Sequence, residues 1–436
     1  MKTKKVFSFT LILFFILLFA LPSVQQNISG QSTFILKPSE TTIGIISDID
    51  GFSKNNMSSN ILRSLIILKK EFSSSILMYT PQSVENFSST LDKAVNDGCD
   101  IIIVSTPKYK DYLINAASMY TSTFFIGVDI FLDDISLKPF VDDFKLNNLA
   151  IILYKEEEAG FLAGIVSGLL TNKFYSVSNK LNQENILGII IGEQKDSLKR
   201  YSFGYKLGIL TVNPDCRIIE SITDTSDDLY LIRKYTNQLY EQKVDIVFQL
   251  CEQGGPAAIQ AALLRDSLII GYEIDQNFYA PDNILTSAIK KIESSIYHFL
   301  SDGFTSGFKS GIFRLGIKDG AIGLASFYSY DLIIPEQVKD AIYTAATAII
   351  DGKLAIPFIS LTLDQNQVYD STTLQLDNSQ TTNDNQTQTT VSTSNDDSDS
   401  IDTSTDSDSN DDSNEENSNP EDSDNTSNDQ VEENNS

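Results

Sequence analysis

Short, continuously apolar, β-branched runs alternate with longer helix-period segments along most of this chain, and that alternation limits the architectures open to it. Residues 41–47, 75–79, 100–105 and 124–129 read as strands, with 59–72, 84–96 and 109–120 between them as helices. After a loop the pattern resumes with strand 149–153, helix 156–170, strand 186–191 and helix 198–212. Strands 217–220, 244–249 and 268–272 follow, with helices 227–241 and 256–265 between them. A strand that is apolar at every position must be covered on both faces, which is the condition of a parallel sheet reached through crossover helices. Two α/β units are expected, roughly 41–150 and 151–280, and residues 281–362 add another strand, a helix at 289–302 and a helix at 335–351. In doubly wound sheets ligands gather at the carboxyl ends of the strands, so the polar loops there are the candidate chemistry.

The charge is unevenly placed. The chain of 436 residues carries 59 Asp/Glu against 32 Lys/Arg, a net −27, yet 18 of the acids and none of the bases fall in residues 371–436. That tail is mostly Ser, Thr, Asn, Asp, Gln and Glu without an aromatic residue, so it is expected to be disordered and extended by self-repulsion. A spacer or a glycosylated stalk fits it, with acceptor triplets at Asn385 and Asn425. Beyond the N-terminus there is no cluster of basic residues to neutralise phosphates, so nucleic acid is not an expected partner. At the N-terminus, Lys2, Lys4 and Lys5 precede an apolar run at 6–21 that Pro22 breaks. Residues 1–26 therefore read as an export signal or an N-terminal anchor, and the body as delivered to the extracellular face of the membrane or the periplasm.

Few residue types are available for catalysis. His298 is the single histidine, which removes multi-histidine metal sites, and its place in a helical run suits a helix-end or surface role. Cys99, Cys216 and Cys251 have no metal-like spacing and read as buried small residues. Neither a dinucleotide fingerprint nor a phosphate-binding P-loop is present. No cofactor or metal is expected, and the chain does not read as an enzyme.

Four strand-end loops remain. The segment from Ser47 to Asn56 contains Asp48 and Asp50 ahead of a helix, where carboxylates serve either a polar ligand or ordinary turn and cap chemistry. Gly254 and Gly255 follow strand 244–249 and either admit a ligand close to backbone or make a plain turn. Glu273 and Asp275 end strand 268–272, where acids can take both hydroxyls of a sugar. Lys290 stands at a strand-to-helix junction, pointing into a cleft or out to solvent.

Several blocks in succession carry a resemblance. The run 148–164, with Lys155-Glu-Glu-Glu-Ala-Gly-Phe-Leu-Ala-Gly164, resembles the "F-K-E-E-E-G-S-F-L-A-G" block of the basic membrane protein family, the PnrA-like nucleoside-binding components of ABC transporters. Residues 187–192, 200–208 and 212–215 continue the likeness. So do 272–276 with 280–290, against "V-D-x-D-Q…A-P-x-x-V-L-T-S-V-x-K", and then 311–325. The resemblance runs from about 41 to 360. It implies a type I periplasmic-binding-protein fold, two Rossmann-like lobes joined by a hinge of three crossings and closing on a nucleoside. The lobes would comprise 41–150 with about 285–325, and 151–284 with about 326–362.

Carried over residue by residue, Tyr201 falls at a stacking Phe, and Glu273 at the first Asp of "V-D-x-D-Q", which would accept from ribose hydroxyls. Lys290 matches a lysine that would donate to a ribose oxygen. Asp48 matches the opening Asp of "D-x-G-G-x-x-D-x-S-F-N", and Asp111 the acid of "F-x-x-D". With Gly254, these six form the expected ligand-binding set. The first motif departs from the family, with Asp50 at its first Gly, Lys54 at its second Asp, Met57 at its Phe and Ser58 at its Asn. The implied partners are a nucleoside, an ABC permease and its ATPase. A ligand-sensing or surface-display module of the same fold is the alternative, motivated by the acidic tail, and a calcium-assisted nucleoside hydrolase using Asp48 and Asp50 is a third reading.

Overall fold

The computed structural model describes residues 33–52, 56–130 and 146–357, all within the first of the two units into which the chain divides, Met1–Gln375. The expectations placed on 1–26, Lys54 and 371–436 lie outside the described residues.

The described chain begins β1 (Thr33–Phe34), β2 (Thr42–Ile46), α1 (Met57–Phe72), β3 (Ser75–Tyr79), α2 (Phe87–Asn96), β4 (Ile101–Val104), α3 (Lys110–Met119), β5 (Phe124–Val128) and β6 (Leu149–Tyr154). It continues α4 (Glu156–Asn172), β7 (Ile186–Ile191), α5 (Asp196–Val212), β8 (Arg217–Ile222), α6 (Leu229–Glu241), β9 (Ile246–Leu250), α7 (Gly255–Leu264) and β10 (Leu268–Glu273). The last part is β11 (Ile284–Lys290), α8 (Ile292–Ser306), β12 (Phe308–Lys309), β13 (Gly311–Leu315), β14 (Ile322–Leu324) and α9 (Glu336–Ile350).

Local chemistry explains the boundaries. Asn56 caps α1 by accepting from the Ser59 N–H, and Ser73 ends it in the left-handed region. Glu156, Glu157 and Glu158 fill the first turn of α4, where unpaired N–H groups and the helix dipole favour carboxylates. Every residue of β4 is buried, as it must be in a sheet covered on both faces. Each such aliphatic side chain contributes roughly 1.5–3 kcal/mol by leaving water.

Two six-stranded sheets result. The first has the order β13-β6-β5-β4-β2-β3 and is parallel throughout. The second has the order β14-β11-β10-β9-β7-β8 and is parallel except for β14, which runs antiparallel to β11. The chain passes from the first sheet to the second after β6, returns after β11 and passes over again between β13 and β14. This is the three-crossing, two-lobed arrangement that the resemblance implies. Adjacent crossing segments are stitched together, the Lys155 N–H donating to Leu315 O at 3.0 Å and the Lys291 N–H to Ala321 O at 2.8 Å.

Within the second lobe, α4 and α5 lie backbone against backbone. A Cβ on Gly160 would stand 2.2 Å from Tyr201 O, and one on Gly204 2.0 Å from Glu157 O. Only glycine permits that approach, and it sets the first turn of α4 against the turn of α5 that carries Arg200 and Tyr201.

Three expectations are corrected. The strand that starts at 149 belongs to the first sheet through Tyr154, so the first lobe does not end at 150. Residues 284–290 and 322–324 belong to the second sheet, and within 285–325 it is β13 that joins the first. A fully apolar strand reads the same whichever sheet it joins; pairing alone separates them. The helix expected from 289 begins at Ile292, because Ile289 and Lys290 still pair with Gly323 and Ile322 across the ladder. The cysteines are buried and free, as expected, and His298 lies exposed on α8.

Candidate ligand-binding site

The carboxyl ends of β5, β6, β10 and β11 bring charged residues of both lobes together. Lys290, the last residue of β11 in the second lobe, is almost fully buried. Its Nζ donates to Asp129 Oδ2 at 2.7 Å and to Glu156 Oε1 at 2.9 Å. Asp129 directly follows β5 of the first lobe. Arg200 of α5 donates from Nε to Glu156 Oε2 at 2.8 Å, both side chains being buried. The ammonium also lies 5.1 Å from the ring centre of Tyr154, at the end of β6. Two buried carboxylates are thus matched by two buried cations, which is what keeps such ions tolerable away from water.

The pKa directions follow from this arrangement. Burial opposes the Lys290 charge, but Asp129 and Glu156, with Tyr201 and Glu273 nearby, hold it well above the usual lysine range. Burial also opposes the Glu156 carboxylate, yet Lys290 and Arg200 together bring it below its ordinary value. Asp129 has Lys290 as its one direct cation, and burial leaves it raised. Glu273 is raised by burial despite Lys290. Glu157, beside Glu156, is pushed up to about 8 by burial and by the Glu156 charge.

Around this core several polar atoms are buried without a partner among the described residues: Asp129 Oδ1, Tyr201 OH, Tyr272 OH and Glu157 Oε2. Tyr201 packs edge-on against Tyr272 at 5.8 Å between ring centres and against Phe248 at 6.2 Å. Buried polar atoms are nearly always satisfied in folded proteins, so these orphans call for an explanation. Glu273 ends β10 with a φ of +65°, and Asp129 has +58°. Left-handed backbone is costly for residues with a side chain and concentrates at functional sites. The turn after Glu273 is held by Gln276, which takes the Gln249 Nε2–H at 2.6 Å and gives its own N–H to Ser287 Oγ at 3.1 Å.

Of the six expected residues, Tyr201, Glu273 and Lys290 come together here. Asp48 lies on the same edge of the first sheet but two strand spacings from Asp129, about 10 Å. It accepts from Tyr109 OH at 3.0 Å and from Lys108 at 2.5 Å. Burial raises its pKa, but the hydrogen bonds from Lys108, the Ile49 N–H and Tyr109 leave it lowered overall. Asp111 sits exposed in the first turn of α3. Gly254 does not join them. Its N–H donates to Cys251 O at 2.8 Å, and a Cβ there would meet Ile232 Cδ1 at 2.1 Å. The close approach this glycine permits is to α6.

Asp129, Glu156 and Arg200 were not singled out by sequence. Asp129 carries the same signal as Asp48, an acid ending a buried strand, and Glu156 stands in the acidic run that opens α4. Among the described residues no group of acids, histidines and cysteines is arranged to hold a metal. A concavity of about 630 Å³, lined by Leu324, Phe327, Tyr328 and Ile342 among others, lies by β14. The chain leaves β14 alongside Ala288 and Thr286, and the lining Tyr328 donates its hydroxyl to Asp275, in the turn after Glu273. Among the described residues no helix is long and apolar enough to cross a membrane.

Comparison with known proteins agrees with this architecture. The sequence profile of the family described as "ABC transporter substrate-binding protein PnrA-like" matches residues 45–356. Basic membrane protein A of Borreliella afzelii is 25% identical over 316 residues, covering 71% of this chain and 90% of its own length. Basic membrane protein D of Borreliella burgdorferi (strain JD1) is 26% identical over 284 residues, covering 62% and 73%. An ABC transporter solute-binding protein from Aeropyrum pernix K1 has a TM-score of 0.60 at 19% identity, over 73% of this chain and 94% of that one. Another, from Conexibacter woesei, has 0.55 at 16% identity, over 73% and 98%. These two structures establish the fold, an α/β periplasmic-binding-protein architecture of two lobes. With the profile spanning well over half of its length, the chain belongs to the PnrA-like family of ABC transporter substrate-binding proteins.

Proposed function

We propose that this protein captures a nucleoside between its two lobes outside the cytoplasm and delivers it to the permease and ATPase of an ABC transporter. The observation that carries the reading is the convergence of Tyr201, Glu273 and Lys290 from one lobe with Asp129 from the other, among buried polar atoms that have no partner. Tyr201 supplies a ring for a base, and base–ring stacking contributes about 1–3 kcal/mol. Glu273 accepts from sugar hydroxyls and Lys290 donates to a sugar oxygen. Asp48, about 10 Å along the first sheet's edge, lies within a nucleoside's length of the sugar end and serves the base end. Lys290 and Arg200 already offset Asp129 and Glu156, so a neutral ligand adds no further buried charge. Export rests on the charged and apolar N-terminal run and on the family's role. The reading assigns no bond-breaking step, and the Lys108 ammonium on Asp48 disfavours a second cation at the Asp48–Asp50 pair.

Thermal unfolding of the full chain with a panel of ribonucleosides, free bases, sugars and amino acids tests it. A ligand that binds only the folded state raises the midpoint by mass action. A rise with one or more ribonucleosides and none with ribose alone is expected. A rise confined to sugars or amino acids would refute the nucleoside assignment.

A further inference from the structure

We propose that Asp129 is a ligand-binding residue, accepting from a sugar hydroxyl with Oδ1 while Oδ2 holds Lys290 of the opposite lobe, so that one carboxylate joins the ligand to the contact between the lobes. The inference rests on the nucleoside reading and deepens it.

Three observations carry it. The first is placement. Asp129 ends β5 in the first lobe, its N–H still in the ladder with Ile152 O at 2.8 Å, and its side chain is buried and bonded to Lys290 from the second sheet at 2.7 Å. The second is an unmet need. Oδ1 is buried and has no partner among the described residues, and a carboxylate oxygen left unpaired away from water is among the costlier defects a fold can carry. The third is backbone conformation. Asp129 and Glu273 are both acids, both directly at strand ends, one in each lobe, and both held in the left-handed region. Asp224, Glu252 and Asp266 share the conformation, so what sets Asp129 and Glu273 apart is that they do so from two lobes beside one lysine.

Carboxylate chemistry narrows the group that Oδ1 receives: an ionised carboxylate only accepts, so its partner is a donor. Lys290 and Arg200 face the buried carboxylates Asp129 and Glu156, with Glu273 beside them, and a neutral O–H donor satisfies the oxygen without changing that balance. Lys290 and Glu273 beside it are the residues read as sugar-holding, so the donor is a sugar hydroxyl.

The test is calorimetric titration of the full chain with the ribonucleoside it binds and with the 2′,3′-dideoxy counterpart, in the wild type and in Asp129→Asn. Loss of a hydrogen bond to a charged acceptor should weaken ribonucleoside binding by about tenfold or more, and dideoxynucleoside binding by less than about threefold. Equal losses for both ligands would mean that Asp129 acts only through Lys290 and would overturn the proposal, as would an unchanged affinity. Should Asp129→Asn fail to fold, Asp129→Ser with the same two ligands decides by the same criterion. If the wild type binds no nucleoside, the functional reading falls and this inference falls with it. A wild type that binds beside an unaffected variant sinks the inference alone.

Discussion

Lys290 Nζ and Asp129 Oδ2, 161 residues apart in sequence and on different sheets, are 2.7 Å apart in the folded chain. This ion pair joins the lobes, and Glu156, itself bonded to Arg200, completes it. Removing one member of a buried ion network strands the others. Lys290→Met should therefore destabilise the protein by about 3–5 kcal/mol. Adding Asp129→Asn to that variant should recover part of the loss. Urea unfolding of the single and double variants measures both, and an additive double variant would show that the pair is not coupled in solution.

The glycine interlock of α4 and α5 makes a second prediction. Gly160→Ala drives a methyl group against the Tyr201 carbonyl oxygen, with backbone on both sides. Overpacking of this kind costs about 1–3 kcal/mol, and it should move Tyr201 and lower ligand affinity. Gly323→Ala, where a Cβ meets nothing within 4 Å, serves as control and should be close to neutral. Equal unfolding midpoints for the two variants would contradict the close approach.

Glu157 sets a pH dependence. Its folded pKa, pushed up to about 8 by burial, lies above its ordinary 4.5. Between those values the unfolded chain has released the proton and the folded chain retains it, so stability falls as pH rises from about 4.5 to 8 and then levels off. The contribution is on the order of a few kcal/mol. Asp245, raised by burial to about 6, adds a smaller decline of the same sign between about pH 4 and 6. Urea midpoints measured from pH 5 to 8 should drop in the wild type and flatten in Glu157→Gln. An equally steep Glu157→Gln profile would place the titrating group elsewhere.

Tyr201→Phe separates packing from binding. The hydroxyl is buried without a partner, so its removal should raise the stability of the ligand-free protein by up to about 1 kcal/mol. If the hydroxyl touches the ligand, nucleoside affinity falls while the ring's contribution remains. Thermal midpoints with and without ligand distinguish the two effects, and a destabilised ligand-free variant would show that the hydroxyl is satisfied.

What could be read from sequence divides along physical lines. Strands such as β4 and β7 were legible because burial on both faces demands an unbroken apolar run. Tyr201, Glu273 and Lys290 were legible only as members of ordered blocks; taken singly, a lysine or glutamate at a loop looks like surface. Ile289 and Lys290 were misread as helix because alanine and isoleucine fit both periods, and only the pairing with β14 decides. Asp129 was passed over since nothing local separates an acid that ends a strand from one that meets a lysine on another sheet. Gly254 shows the reverse error, a glycine correctly read as a close approach but assigned to a ligand when the neighbour is Ile232.

A crystal structure of the full chain with its bound ribonucleoside tests the central claim most directly. The account predicts the sugar within hydrogen-bonding distance of Glu273 and Lys290, with the base against the Tyr201 ring. A nucleoside seated elsewhere, such as in the concavity beside β14, with Tyr201, Glu273 and Lys290 untouched, would contradict it.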